Sequence, residues 1–174
     1  MAHPSSVSRP IGGHTWGTVI TYNSATAPKD DLGMIRDEYD TTYRLCKYEI
    51  VFKNCGTPCV DGDVMVYNDK YNAKVTRTIG TDVLANRVAG VAFGAIAASA
   101  YGWIQVYGYH DAIKVSSSGN IASGDSMVAS AASTGLALRN GAAGATNAEH
   151  LRVFGQAVAA DNTTSVEGFI NLNG

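Results

Sequence analysis

Arg87-Val88-Ala89-Gly90-Val91-Ala92 recurs as Arg152-Val153-Phe154-Gly155-Gln156-Ala157, at an offset of 152 − 87 = 65. Gly102-Trp103-Ile104-Gln105-Val106-Tyr107-Gly108 recurs as Gly168-Phe169-Ile170-Asn171-Leu172-Asn173-Gly174, at 168 − 102 = 66. An earlier element joins them: Gly62-Asp63-Val64-Met65-Val66 returns as Gly124-Asp125-Ser126-Met127-Val128, at 124 − 62 = 62. The three keep their order in both copies, and the offsets drift as they do when insertions fall in loops. Such a pattern predicts an all-β body with an internal duplication, in units of about 60–108 and 122–174.

Each repeated residue has a physical reason. Gly62 and Gly124 can take the positive φ that a tight turn requires, and the Asp63 and Asp125 carboxylates can accept backbone N–H bonds beyond it. Gly90 and Gly155 remove a side chain where another strand must approach closely. Trp103 and Phe169 supply large apolar area at matched positions, which predicts equivalent pockets or interfaces.

Working outward, Tyr43–Lys53 alternates with Cys46, Tyr48, Ile50 and Phe52 on its apolar parity and reads as a half-buried strand. Asp37–Tyr43 reads as a short helix or turn. Val64–Tyr67, Ala73–Ile79, Ala112–Val115, Asn120–Val128 and Gly135–Leu138 read as short strands. Arg87–Ile96 with Tyr101–Tyr109 forms a first hairpin, and Leu151–Ala159 with Val166–Leu172 a second. Turn signals arrive every ~8–12 residues, the spacing of a sandwich or barrel. Residues 1–34 are rich in turn formers and hold Trp16 and Tyr22 as isolated aromatics, which reads as an extended arm ordered by docking. The expected division is an arm and first strand over 1–50 and a duplicated β-body over 51–174.

Charge narrows the function. Residues 1–87 carry 10 acidic and 10 basic side chains, residues 88–174 only 5 and 3, so 20 against 8. A half so poor in charge predicts covered surface or one built from small polar residues. A net charge of −2 argues against direct nucleic-acid binding, which leaves a basic footprint. Val88–His110 has no charged residue and is long enough to span a bilayer, but it is interrupted at Gly94, Ser99 and Gly102, and its repeat partner holds Asp161 and Asn162. A hairpin is expected there, not a membrane helix, and the polar Met1–Gly12 stretch has no secretory signal character.

No metal, cofactor or catalytic residue is expected. Cys55 and Cys59, with Cys46 nearby, lack the fourth ligand zinc wants, and the histidines are scattered. Asp61 and Asp63 open no calcium loop with a distal Glu. Asn162-Thr163-Thr164 reads as a hairpin tip. Nucleophile elbows, phosphate loops and His-Glu-x-x-His are all absent, so an enzyme is not expected.

The ordered Gly-Asp-x-Met-Val, Arg-Val-Ala-Gly-Val-Ala-Phe and Gly-Trp-Ile-Gln-Val-Tyr-Gly over roughly residues 60–174 resembles the small head decoration, or cement, proteins of tailed bacteriophages. The resemblance implies a compact β-barrel, β-tulip-like or sandwich body made in the host bacterial cytoplasm and seated on the capsid's outer surface. It implies as partners the major capsid protein and other copies of the chain, commonly as a trimer, with no cofactor. Candidate interface residues are Trp16, Tyr22, Tyr101, Trp103, Tyr107 and Phe169. The competing expectation is a carbohydrate- or receptor-binding β-module of a phage tail or fibre, with Tyr101, Trp103, Tyr107 and Tyr109 as its aromatic face.

Overall fold

A computed structural model describes residues 9–10, 32–33, 35–39, 45–53, 57–69, 74–79, 87–117, 120–130, 133–141, 153–161 and 164–172, with the backbone alone described at 9–10, 35–39, 45–53 and 69. Trp16, Tyr22, Cys55 and Asn162 lie outside these residues. All regular structure among them is β: β1 (Arg9–Pro10), β2 (Ile35–Tyr39), β3 (Leu45–Lys53), β4 (Val64–Asp69), β5 (Lys74–Thr76), β6 (Val88–Ala92), β7 (Tyr101–Lys114), β8 (Ser126–Ala129), β9 (Ala137–Arg139), β10 (Val153–Ala157) and β11 (Ser165–Asn171). They form one sheet in the order β1-β2-β3-β5-β4-β6-β7-β11-β10-β8-β9, curled so that β3 also pairs with β7.

The pairings recur. In the first unit β3 runs parallel to β5, which pairs antiparallel with β4, then β6, then the N-terminal half of β7, and β7 returns to β3. In the second, the residue after β7 bridges to β9 in parallel, and β8, β10 and β11 lead back to β7. Lys53↔Val75 matches Val115↔Ala137, at 115 − 53 = 62 and 137 − 75 = 62. Met65↔Gly90 matches Met127↔Gly155, at 127 − 65 = 62 and 155 − 90 = 65. β7 therefore serves twice, closing the first unit and opening the second. For this reason the separate strand expected at Ala112–Val115 is the end of β7. The long strand switches neighbours near Tyr107, where Gln105 donates its side-chain amide to the Tyr107 and Tyr109 carbonyls at 3.2 and 2.9 Å.

Two further expectations are corrected. Asp37–Tyr39 belongs to a strand, not a helix or turn, because β2 pairs with β3 from Ile35↔Glu49 to Tyr39↔Leu45. The second is the register of the repeat. Phe93 N–H donates to the Trp103 carbonyl, and Val158 N–H donates to that of Glu167, at offsets of 158 − 93 = 65 and 167 − 103 = 64. Val91↔Gln105 likewise matches Gln156↔Phe169. Glu167, not Phe169, stands where Trp103 stands. A slip of two residues leaves every side chain on its own face, so local apolar pattern cannot detect it.

Two cores follow from this arrangement. Met65, Val75, Ala89, Ala92, Ile96 and Ile104 fill the first unit. The second core joins Ile113, Met127, Phe154, Val166 and Ile170 of the second unit to Val64, Val66, Val88 and Val91 of the first. The four valines point away from their own core, so the second unit is packed on the outer face of the first. The charge-free 88–110 stretch is β6, a turn and most of β7; among the described residues no helix is long and apolar enough to cross a membrane.

Candidate assembly surface

The Gly-Asp turns are the most regular feature of the surface. Gly62 and Gly124 have φ of 81° and 89°. Four bonds around each turn correspond atom for atom. Gly62 N–H donates to Ala92 O and Gly124 N–H to Ala157 O, at 3.0 and 2.9 Å. Asp63 N–H and Asp125 N–H donate to Val60 O and Ala122 O, at 3.2 and 3.1 Å. Ala92 N–H and Ala157 N–H donate to the two Asp carbonyls, both at 2.8 Å. The Asp63 and Asp125 carboxylates accept from Val60 N–H and Ala122 N–H, at 3.0 and 2.8 Å. Each carboxylate closes its turn by accepting a backbone amide three residues back.

The surroundings of the two turns differ. The first is buried under the second unit: Lys114 N–H donates to Gly62 O at 2.9 Å, and a Cβ on Gly62 would lie 1.9 Å from the Ala112 carbonyl oxygen. Gly135 enters beside it, accepting from Val64 N–H at 2.8 Å and donating to Arg77 O at 3.0 Å. The Arg77 guanidinium bonds the Asp63 carboxylate at 3.0 Å and the Pro58 carbonyl at 3.2 Å. The second turn is exposed, and a Cβ on Gly124 would meet nothing within 4 Å. Its carbonyl accepts instead from the Gln156 side chain at 2.8 Å.

From this open turn a sheet face extends across β10, β11 and β7. β11 alternates strictly, with Val166, Gly168 and Ile170 buried and Glu167, Phe169 and Asn171 exposed. Phe169 is 38% exposed and meets Tyr107 edge-on, ring centroids 5.1 Å apart at 84°. Tyr109 donates its hydroxyl to Glu167 at 2.6 Å. Val153 and Val158 are 44% and 50% exposed, and Ser123 donates to the Val158 carbonyl at 2.8 Å, tying this edge to the Gly124 turn.

Of the interface candidates, Tyr107 and Phe169 meet on this face, and Tyr101 is half-buried at the start of β7. Trp103 is corrected: it is 1% exposed and belongs to the interior of its own chain, because the centre of β7 is buried on both faces. Gly90 has φ 153°, and a Cβ there would lie 2.4 Å from the Gln105 carbonyl oxygen; at Gly155 the clash is with the Phe169 carbonyl oxygen, also at 2.4 Å. Sequence reading missed Val153 and Val158, since only the fold shows that these two valines are exposed.

One titratable group is buried nearby. His110 accepts from Ala112 N–H at Nδ1, while its buried Nε2, which makes no well-formed hydrogen bond among the described residues, lies 3.9 Å from the Asp61 carboxylate. Burial holds its pKa below the ordinary 6.5, against the upward pull of Asp61, Asp111 and the Ala92 backbone. Cys59 is buried with its thiol 3.8 Å from the Ile96 carbonyl oxygen, and among the described residues no group of three or more His, Cys, Asp or Glu could hold a metal ion.

No protein-family model matches the chain, and no curated protein matches it. Among solved structures it is similar to the head fiber gp8.5 N base of bacteriophage phi29, at 13% identity and a TM-score of 0.46, over 71% of this chain and 92% of that one.

Proposed function

We propose that this chain is a structural protein of a tailed-phage virion that binds the outer surface of the capsid as a homo-oligomer and stabilises the shell without catalysis or a cofactor. The observation that carries the reading is the exposed face of the second unit. Tyr107, Tyr109 and Phe169 lie on it with Glu167 as the only charged residue among its β11 positions, beside the exposed Val153 and Val158. An aromatic face with little charge is what a protein partner desolvates at low cost, and contiguous exposed apolar area on a small domain marks an interaction site. The resemblance of the ordered motifs to those of head decoration proteins supports the kind of partner, a capsid surface.

The test is to prepare phage particles with and without the protein and compare their survival of heat and osmotic shock. Particles lacking it should lose DNA at lower temperature and regain resistance when purified protein is added back. Equal survival, or failure of the protein to bind shells, removes the reading.

A second reading, a carbohydrate-binding module, is favoured by the Tyr109 hydroxyl bonded to Glu167 beside two further rings. It is weakened by Trp103, the best stacking platform in the segment, being buried. Specific glycan binding abolished by Tyr109→Ala would favour it over shell binding.

A further inference from the structure

Asp61-Gly62 and Asn140-Gly141 are the two pairs among the described residues in which an acid or its amide precedes glycine, and the fold treats them oppositely. In such a pair the glycine nitrogen can reach the side-chain carbonyl carbon of the residue before it, because no Cβ obstructs the ring that forms. The attack needs a glycine N–H that is not already engaged and a backbone free to bend into the ring. Gly62 meets neither condition. It is buried, its N–H donates to the Ala92 carbonyl at 3.0 Å, and the Asp61 carboxylate accepts from Gly94 N–H at 2.6 Å.

Gly141 meets both. It is exposed in the turn that follows β9, with φ 81°, and a Cβ on it would meet nothing within 4 Å. Among the described residues no hydrogen bond is made by its N–H. Asn140 is half-buried, and its own N–H donates to the Ser126 carbonyl at 2.8 Å, the last bond that ties this turn to β8. The reacting atoms lie on the far side of that bond from β9, so the strand pair does not have to open.

We infer that Asn140 is a modification site, converted without an enzyme to a mixture of aspartate and isoaspartate by the Gly141 nitrogen and water. The Gly141 nitrogen gives up its proton and bonds to Asn140 Cγ. The Cγ–Nδ2 bond breaks, ammonia leaves with that proton, and a five-membered succinimide closes. Water then adds to one of the two ring carbonyl carbons. Cleavage at Cγ restores the ordinary backbone with an aspartate; cleavage at the main-chain carbonyl leaves the chain running through the side-chain carbon as isoaspartate. One water enters and one ammonia leaves, with nothing oxidised or reduced. A carboxylate then stands where an amide stood, opposite Ser126 and one residue from Arg139. In residues 88–174 a sixth acidic side chain joins three basic ones. The inference goes beyond the capsid reading and does not depend on it: the second unit changes the charge of its surface with age.

The experiment is incubation of the full chain in mildly alkaline buffer, folded and in urea side by side, with peptide mapping by mass spectrometry and an isoaspartate assay at intervals. Residue 140 should turn acidic in the folded chain at a rate less than about tenfold below that in urea. Isoaspartate at position 61 should form in urea and not in the folded chain. Asn140→Gln would have to close a six-membered ring and should keep its amide; should that variant fail to fold, the peptide map of the wild-type chain assigns the site by itself. A residue 140 that stays an amide in the folded chain, or converts there tenfold or more slowly than in urea, overturns the inference. Isoaspartate arising at position 61 of the folded chain as fast as at 140 overturns it too, since the bonds around Gly62 would then protect nothing.

Discussion

The Asp63 carboxylate sits 3.0 Å from the Arg77 guanidinium with only 3% of its side chain exposed, while its counterpart Asp125 makes the same turn bond with no arginine paired to it among the described residues. The duplication thus supplies its own control. Asp63→Ala leaves the guanidinium only its Pro58 carbonyl among the described residues, its Nε being buried without a partner there, and should cost about 2–4 kcal/mol. Asp125→Ala removes a single exposed turn bond and should cost about 0.5–1.5 kcal/mol. Urea unfolding of both variants measures the gap; equal losses would mean that Arg77 adds nothing at the joint.

The β class, both hairpins and both turns were legible because each is written locally: glycine where φ is positive, aspartate where a turn amide needs an acceptor, alternation where one face is buried. The Trp103–Phe169 match misled because a two-residue slip preserves parity, and only cross-strand bonds such as Phe93 to Trp103 fix the register. The continuity of β7 was hidden for a related reason. His110 and Asp111 fall between the two strands expected from sequence, but they are held inside one strand that changes neighbours. The candidate surface was half legible: Tyr107 and Phe169 are conspicuous aromatics, whereas Val153 resembles Val88 in sequence and differs from it only in what lies on top.

Gly90 tests the close approach between β6 and β7. Its φ of 153° disfavours any side chain, and a Cβ would lie 2.4 Å from both the Gln105 carbonyl oxygen and the Ile104 side chain. Gly90→Ala should cost about 3 kcal/mol or more, from strain and overpacking together. Gly141→Ala, at φ 81° in open space, should cost only about 1–2 kcal/mol. Thermal melts of the pair separate the clash from the backbone conformation.

His110 gives the fold a pH dependence whose sign is fixed by burial. Its folded pKa lies below the unfolded 6.5, so above that pH both states are neutral and its contribution to stability is complete. As pH falls below 6.5 the unfolded chain takes up a proton that the folded chain resists, and stability declines toward the lowered folded pKa. Urea midpoints should fall between about pH 7.5 and 5.5, the range in which histidine titrates. His110→Asn keeps an acceptor for the Ala112 amide and should flatten that slope. A slope unchanged by the substitution would assign the effect to another group.

Phe169 separates binding from folding on the candidate surface. Its ring is 38% exposed and meets the Tyr107 ring in an edge-to-face contact, so Phe169→Glu should cost the fold no more than about 1 kcal/mol. Glu167 already stands on the same strand face, and a second carboxylate beside it makes the patch costly to desolvate against any partner. The variant should therefore melt near wild type and fail to protect particles from heat when added back to shells lacking the protein. Phe154→Ala is the contrasting control: that side chain is fully buried, its loss should cost about 3–5 kcal/mol, and any failure to bind would follow from unfolding. If Phe169→Glu protects particles as well as wild type, the face of β7, β10 and β11 is not the surface that meets the shell.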